Sequence, residues 1–216
     1  MIINSIENHL FTIIILHGMY QDNSSLLKLV NIIQSNNKNI KIILPNAPLR
    51  TITWPQGNEY KVRAWYNYYT RNDNKPFHDD IEKEHFLEQT ERINKIIYNE
   101  TRLIHEKNII ISGVSQGGTL AFNIGLHSPY KLGGLIGIHT IFMDNIILTN
   151  NVNKIPIFLF SGNNDNIYNI RLQKQSIKKL DTFKLNIEWH IEKNLNHCEY
   201  SKKESEFMVN AIKQIL

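Results

Sequence analysis

The segment Gly113-Val-Ser-Gln-Gly117 holds a serine between two glycines, directly after the apolar run 108–112 and before the helix-like stretch 116–127. A serine on such a strand-to-helix turn is lifted clear of the sheet. Glycine on either side is small enough for strand and helix to approach. The helix N-terminus beneath it offers free N–H groups and a positive dipole end to a developing negative charge. That environment suits a nucleophile, and a serine nucleophile needs a base and a group that orients the base. On this kind of turn the acid follows the serine and the histidine follows the acid. Histidines 9, 17, 78, 85, 105, 127 and 139 precede any acid that lies beyond Ser115 and a later strand, which leaves His190 and His197. His190 sits inside the strand-like Ile187-Glu-Trp-His-Ile, whereas His197 lies just past that strand's carboxyl end, on the side facing Ser115. Asp165 follows the strand-like run 155–160; Asp144, after the preceding strand, is the second candidate, and Asp181 ends a helix on the wrong side of the sheet. The order and placement point to Ser115 as nucleophile, His197 as base and Asp165 as its orienter.

An oxyanion formed at Ser115 needs two N–H donors, one from the residue after the nucleophile and one from the loop after the first long strand. The first is Gln116 and the second is Met19, which follows the turn-forming Gly18. His17 precedes the serine and is expected to brace that loop rather than to react. Cys198 adjoins His197 but has no such turn of its own, and is read as a small packing residue.

These residues must be positioned by a sheet. Strand-like runs at 11–16, 40–44, 108–112, 134–138, 155–160 and 186–191 alternate with segments of helical period. Several runs are apolar at every position, as strands buried on both faces of a parallel sheet are. One helical stripe is Leu26, Leu27, Val30 and Ile33, and a second is Ile81, Phe86, Ile93, Ile97 and Ile104, with Asp79 and Glu82 as a capping box. Further helices are expected over 116–127, 170–180 and 203–215. The expectation is an α/β fold, a mostly parallel sheet flanked by helices on both faces, with residues 1–216 as one domain. The irregular stretch 45–77, rich in Trp and Tyr, is long enough to have a task of its own.

Composition narrows the partners. The 216 residues are 42% hydrophobic and 20% charged, an ordinary globular balance. The net charge of +4 is spread along the chain without a dense basic run, so no nucleic-acid partner is expected. One cysteine excludes an internal disulfide framework and fits a reducing, cytoplasmic compartment. No apolar stretch is long enough for stable membrane insertion.

Leu16-His-Gly-Met, Leu44-Pro-Asn-Ala-Pro-Leu-Arg, Arg63-Ala-Trp-Tyr, Gly113-Val-Ser-Gln-Gly-Gly, the Asp165 loop and His197 stand in an order that resembles the phospholipase/carboxylesterase family, which includes the acyl-protein thioesterases. The resemblance covers the chain from about Thr12 to its end. It implies an α/β-hydrolase fold, no cofactor and no metal, and hydrolysis of carboxylic esters or acyl thioesters through an acyl-enzyme. By position it assigns Ser115, Asp165 and His197 to the triad, and Met19 and Gln116 to the oxyanion hole. Trp54, Trp65, Tyr66, Ile141, Phe142 and Met143 are candidates for the wall of an acyl pocket. The implied partner is a small-molecule or lipidated acyl substrate, and a homodimer is compatible with this. Three segments depart from the relatives: Tyr20 stands where a glycine is common, Tyr66-Asn67 replaces Phe-Asp, and Gly137-Ile-His-Thr-Ile-Phe-Met replaces a Leu-Ser-x-x-Leu-Pro segment. An acyltransferase or peptidase using the same residues, or a catalytically silent binding protein on the same fold, are the alternatives.

Overall fold

In a computed structural model, which describes residues 1–53, 61–70, 80–143 and 152–216, the run Phe-Thr-Ile-Ile-Ile-Leu becomes a strand with both faces covered. Ile13 and Ile15 point into one apolar layer, and Ile14 and Leu16 into the other. This strand, β2 (Phe11–Leu16), follows a short edge strand β1 (Ile2–Ile3) and precedes helix α1 (Leu27–Asn36) and strand β3 (Ile40–Ile43). Short strands β4 (Leu49–Arg50), β5 (Val62–Arg63), β6 (Tyr68–Thr70) and β7 (Asp80–Ile81) come next, then helix α2 (Lys83–Thr101). The second half runs β8 (Ile109–Val114), α3 (Gln116–His127), β9 (Gly134–Ile138), β10 (Ile157–Gly162), α4 (Ile170–Lys178), β11 (Ile187–Glu192) and α5 (Lys202–Ile215).

Seven strands form one sheet in the order β1-β3-β2-β8-β9-β10-β11, and all neighbours are parallel except β1, which pairs antiparallel with β3. Helices α1 and α5 contact each other, and their Val30, Ile33, Met208 and Ile212 fill the layer on one face. Phe86, Ile93 and Ile97 of α2, with Leu120 and Ile124 of α3 and Leu172 of α4, fill the other. Burying each such side chain stabilises the fold by about 1.5–3 kcal/mol. Strands covered on both sides tolerate no polar face, which is why β2, β8 and β9 read as near-continuous apolar runs, interrupted by the buried Thr12 and Ser112.

The six long strands lie where the sequence places them, within two residues at each end. The departures have local causes. Leu26 belongs to a 3-10 turn capped by Asp22, whose carboxylate accepts the Ser24 amide at 2.9 Å, and α1 starts one residue later with Leu27 largely exposed. Ile81 is drawn out of the helical stripe by antiparallel pairing with Tyr68, and Ile104 lies past the end of α2. Within the stretch read as irregular, β4–β5 make one small antiparallel ladder, and β6 makes a second with β7 just beyond it. Asp79 lies outside the described residues, and Glu82 itself occupies the N-cap of α2 without a side-chain bond. Among the described residues, no helix is long and apolar enough to cross a membrane.

Candidate active site

The carboxyl ends of the parallel strands converge on Ser115. Its backbone has φ 51° and ψ −119°, outside the regions that L-residues ordinarily occupy. The turn is held on every side. The Ser115 amide donates to the Ile138 carbonyl at 2.9 Å, and the Ser115 carbonyl accepts from the Thr140 hydroxyl at 3.0 Å. A Cβ on Gly117 would lie 2.5 Å from the carbonyl oxygens of both Leu16 and His17, so β2 and α3 meet here with no room for a side chain. This close packing sustains a strained serine.

His197, in the loop after β11, places Nε2 2.9 Å from Ser115 Oγ and Nδ1 2.7 Å from Asp165 Oδ2. Asp165 is buried in the turn after β10, and its Oδ1 accepts the amides of Ile167 and Tyr168 at 2.9 and 2.7 Å. Burial alone would raise the Asp165 pKa. The His139 and His197 rings and the Tyr168 amide outweigh it and hold the carboxyl at about 2. An ionised Asp165 accepts the Nδ1–H of His197, which leaves Nε2 as the acceptor facing the serine hydroxyl. The three residues read from the sequence are thus brought into one hydrogen-bonded line.

The loop after β2 supplies the other half. A Cβ on Gly18 would lie 3.5 Å from the Ser115 Cβ, which sets the Gly18-Met19 peptide against the nucleophile. Among the described residues the Met19 N–H has no hydrogen-bond acceptor, and the Gln116 N–H, at the first position of α3, has none within the helix. His17 braces the loop as expected. It is fully buried, its Nδ1 contacts the Gly18 carbonyl at 2.7 Å, and its Nε2 accepts the Ala47 amide at 3.0 Å. That pairing requires the neutral ring, and burial lowers its pKa accordingly.

The residues proposed for the acyl wall occupy a different setting from an open cleft. Trp65, Tyr66, Ile141, Phe142 and Met143 are all buried in one apolar cluster. The Trp65 indole N–H donates to the His17 carbonyl at 2.7 Å, so this ring supports the oxyanion loop. Tyr66 packs edge-on against Phe86, and its hydroxyl lies 3.9 Å from Met143 Sδ. Phe142 packs edge-on against Phe122, and the Ile141 carbonyl accepts from the Thr119 hydroxyl at 3.0 Å. Trp54 and Asp144 lie outside the described residues. Cys198 is exposed and not the packing residue expected from its type. It follows His197 along a turn that faces solvent.

Some contributors escape a reading of order and spacing. The Gln116 side chain, expected to matter only through its backbone, accepts the Trp65 amide at 2.8 Å and donates to the Tyr66 carbonyl at 2.8 Å. It therefore ties the aromatic segment to the nucleophile helix. Behind Asp165, the Trp189 indole donates to Ser161, Ser161 donates to Gln173, and Gln173 reaches Asp165 Oδ2 at 3.5 Å. His139, set aside because it precedes the acid, lies 3.8 Å from Asp165 Oδ2 with Glu204 on its other side. Its place at the carboxyl end of β9 was the available signal. Among the described residues, no group of three or more His, Cys, Asp or Glu side chains is arranged to hold a metal ion.

A mostly parallel sheet with a strained serine on its strand-to-helix turn, aligned with a histidine and a buried carboxylate, defines an α/β hydrolase. The profile of the Phospholipase/Carboxylesterase family matches residues 1–216, and the chain belongs to that family. It is 29% identical over 218 residues to acyl-protein thioesterase 1 homolog 1 of Dictyostelium discoideum, covering 98% of this chain and 93% of the relative. It is 32% identical over 185 residues to acyl-protein thioesterase 1 of Schizosaccharomyces pombe, covering 83% and 79%. Among solved structures, SOBER1 of Arabidopsis thaliana superposes with a TM-score of 0.83 at 23% identity, over 95% of this chain and 98% of that one. Acyl-protein thioesterase 2 of Zea mays superposes with a TM-score of 0.81 at 18% identity, over 100% and 97%. The two structures bear on the fold. Family membership makes the chain a hydrolase of carboxylic esters.

Proposed function

We propose that Ser115 is the nucleophile of a carboxylic ester and acyl thioester hydrolase that works through an acyl-enzyme. The observation that carries this reading is the continuous line from Ser115 Oγ through His197 to Asp165, with steps of 2.9 and 2.7 Å. His197 takes the Ser115 proton as Oγ attacks the acyl carbon, and Asp165 stabilises the imidazolium that forms. The Met19 and Gln116 amides receive the oxyanion, each contributing roughly 3 kcal/mol in comparable sites. His197 then protonates the leaving alcohol or thiol, and water, deprotonated by the same ring, cleaves the acyl-enzyme. The thioester part of the reading is supported by the names of the thioesterase relatives.

The partner in this reading is a small-molecule or lipidated acyl substrate. Tyr66, Ile141, Phe142 and Met143 form the apolar ground beneath the site, and we assign to them the inner limit of the acyl pocket. The reading treats residues 1–216 as one domain working in the cytoplasm, without nucleic acid or membrane insertion, and a homodimer is compatible with it. The test is a chain-length series of acyl esters and thioesters against the purified protein. The expected result is turnover of short to medium chains, abolished in Ser115→Ala. Flat, near-background rates across the series would contradict it.

A further inference from the structure

His139 is a second buried histidine at the triad that the reaction above does not use. It sits at the carboxyl end of β9 with φ 45°, and its side chain is 3% exposed. Nδ1 lies 3.8 Å from Asp165 Oδ2, and Nε2 lies 3.5 Å from Glu204 Oε2, on α5. Its ring centroid is 5.8 Å from that of His197. Among the described residues, neither ring nitrogen has a hydrogen-bond partner. From β10 the Phe160 ring packs edge-on against it, and the neighbouring Lys203 of α5 is paired with Glu192 of β11 at 3.0 Å. Among the described residues, the titratable groups that face His139 are therefore Asp165, His197 and Glu204.

A neutral imidazole has one N–H and one lone pair, so with a carboxylate oxygen at each nitrogen it would turn its lone pair toward an acceptor. Only the doubly protonated ring presents a proton to each carboxylate. We infer that His139 is a buried imidazolium, clamped between Asp165 and Glu204, and acts as a positioning residue that fixes the Asp165 carboxylate against His197. Burial pushes its pKa down, but the two carboxylates outweigh burial and raise it to about 9. The positive ring helps keep Asp165 charged, with Oδ2 held where it receives the Nδ1–H of His197.

This inference rests on the hydrolase reading for its kinetic consequence but not for the charge state. Long-range proton–nitrogen NMR of the histidine rings in the full chain reads the charge state directly, with His139 assigned by the signal lost in His139→Asn. Asparagine suits the test because it tolerates positive φ and carries no charge. Two protonated ring nitrogens at pH 7 are expected. In Glu204→Gln the second proton should be lost at lower pH. For turnover, kcat should fall about tenfold in His139→Asn with KM little changed. A neutral His139 ring at pH 7 overturns the inference whatever the variants do. An unchanged kcat in a folded His139→Asn protein overturns the positioning role. Absence of all hydrolysis would instead count against the hydrolase reading and leave the ring signals to decide the charge state.

Discussion

The Asp165 carboxylate receives His197 Nδ1 at 2.7 Å and the amides of Ile167 and Tyr168 at 2.9 and 2.7 Å, and it is buried throughout. Such a group orients the base only while it is charged. Asp165→Asn preserves the shape but presents an amide that favours the wrong tautomer of His197. The expected outcome is a fall in kcat of roughly ten-thousand-fold in a protein that still folds. Steady-state kinetics beside a circular dichroism spectrum check this, and a loss under tenfold would remove Asp165 from the assigned role. Residue types and order alone made the three members of this line legible. They could not show His139 joining it, because chain order discards a histidine that precedes the acid while space does not.

At the scale of elements, the site depends on how closely β2, β8 and α3 meet. Gly117 faces the Leu16 and His17 carbonyls at a distance no Cβ can accept. Gly117→Ala should push α3 away from β2 and pull the Gln116 amide from the Met19 amide. A displacement of about 1 Å at reacting groups costs on the order of a hundredfold. The expected result is therefore at least that loss in kcat/KM, with a lowered Tm, and wild-type kinetics would contradict the account of the turn. The long strands were readable because burial on both faces leaves a near-continuous apolar signal, as in Phe11–Leu16 and Gly134–Ile138. The strands β4 to β7 were not, because two- and three-residue ladders are set by pairing across the loop and carry no period of their own. Trp65 was misplaced for a related reason. An aromatic near a hydrolase site reads as substrate wall, whereas its indole N–H is bonded to the loop of His17.

For the whole molecule, the buried charges of the site couple stability to pH. His139 is raised from its ordinary 6.5 to about 9, so its contribution is fully present below pH 6.5 and is lost as pH rises through about 9. Asp165 is depressed from 3.8 to about 2, so its contribution is present above pH 3.8 and is lost as pH falls through about 2. The gap in Tm between wild type and His139→Asn should narrow as pH rises from 6.5 to 9. A gap that stays constant over that window would contradict the raised pKa. The central claim is that the fold makes Ser115 nucleophilic, and intact-mass measurement after treatment with a fluorophosphonate tests it most directly. The account predicts one adduct on the wild-type chain, mapped to Ser115 and absent from Ser115→Ala. No adduct on the folded wild type, or an equal adduct on the variant, would contradict it.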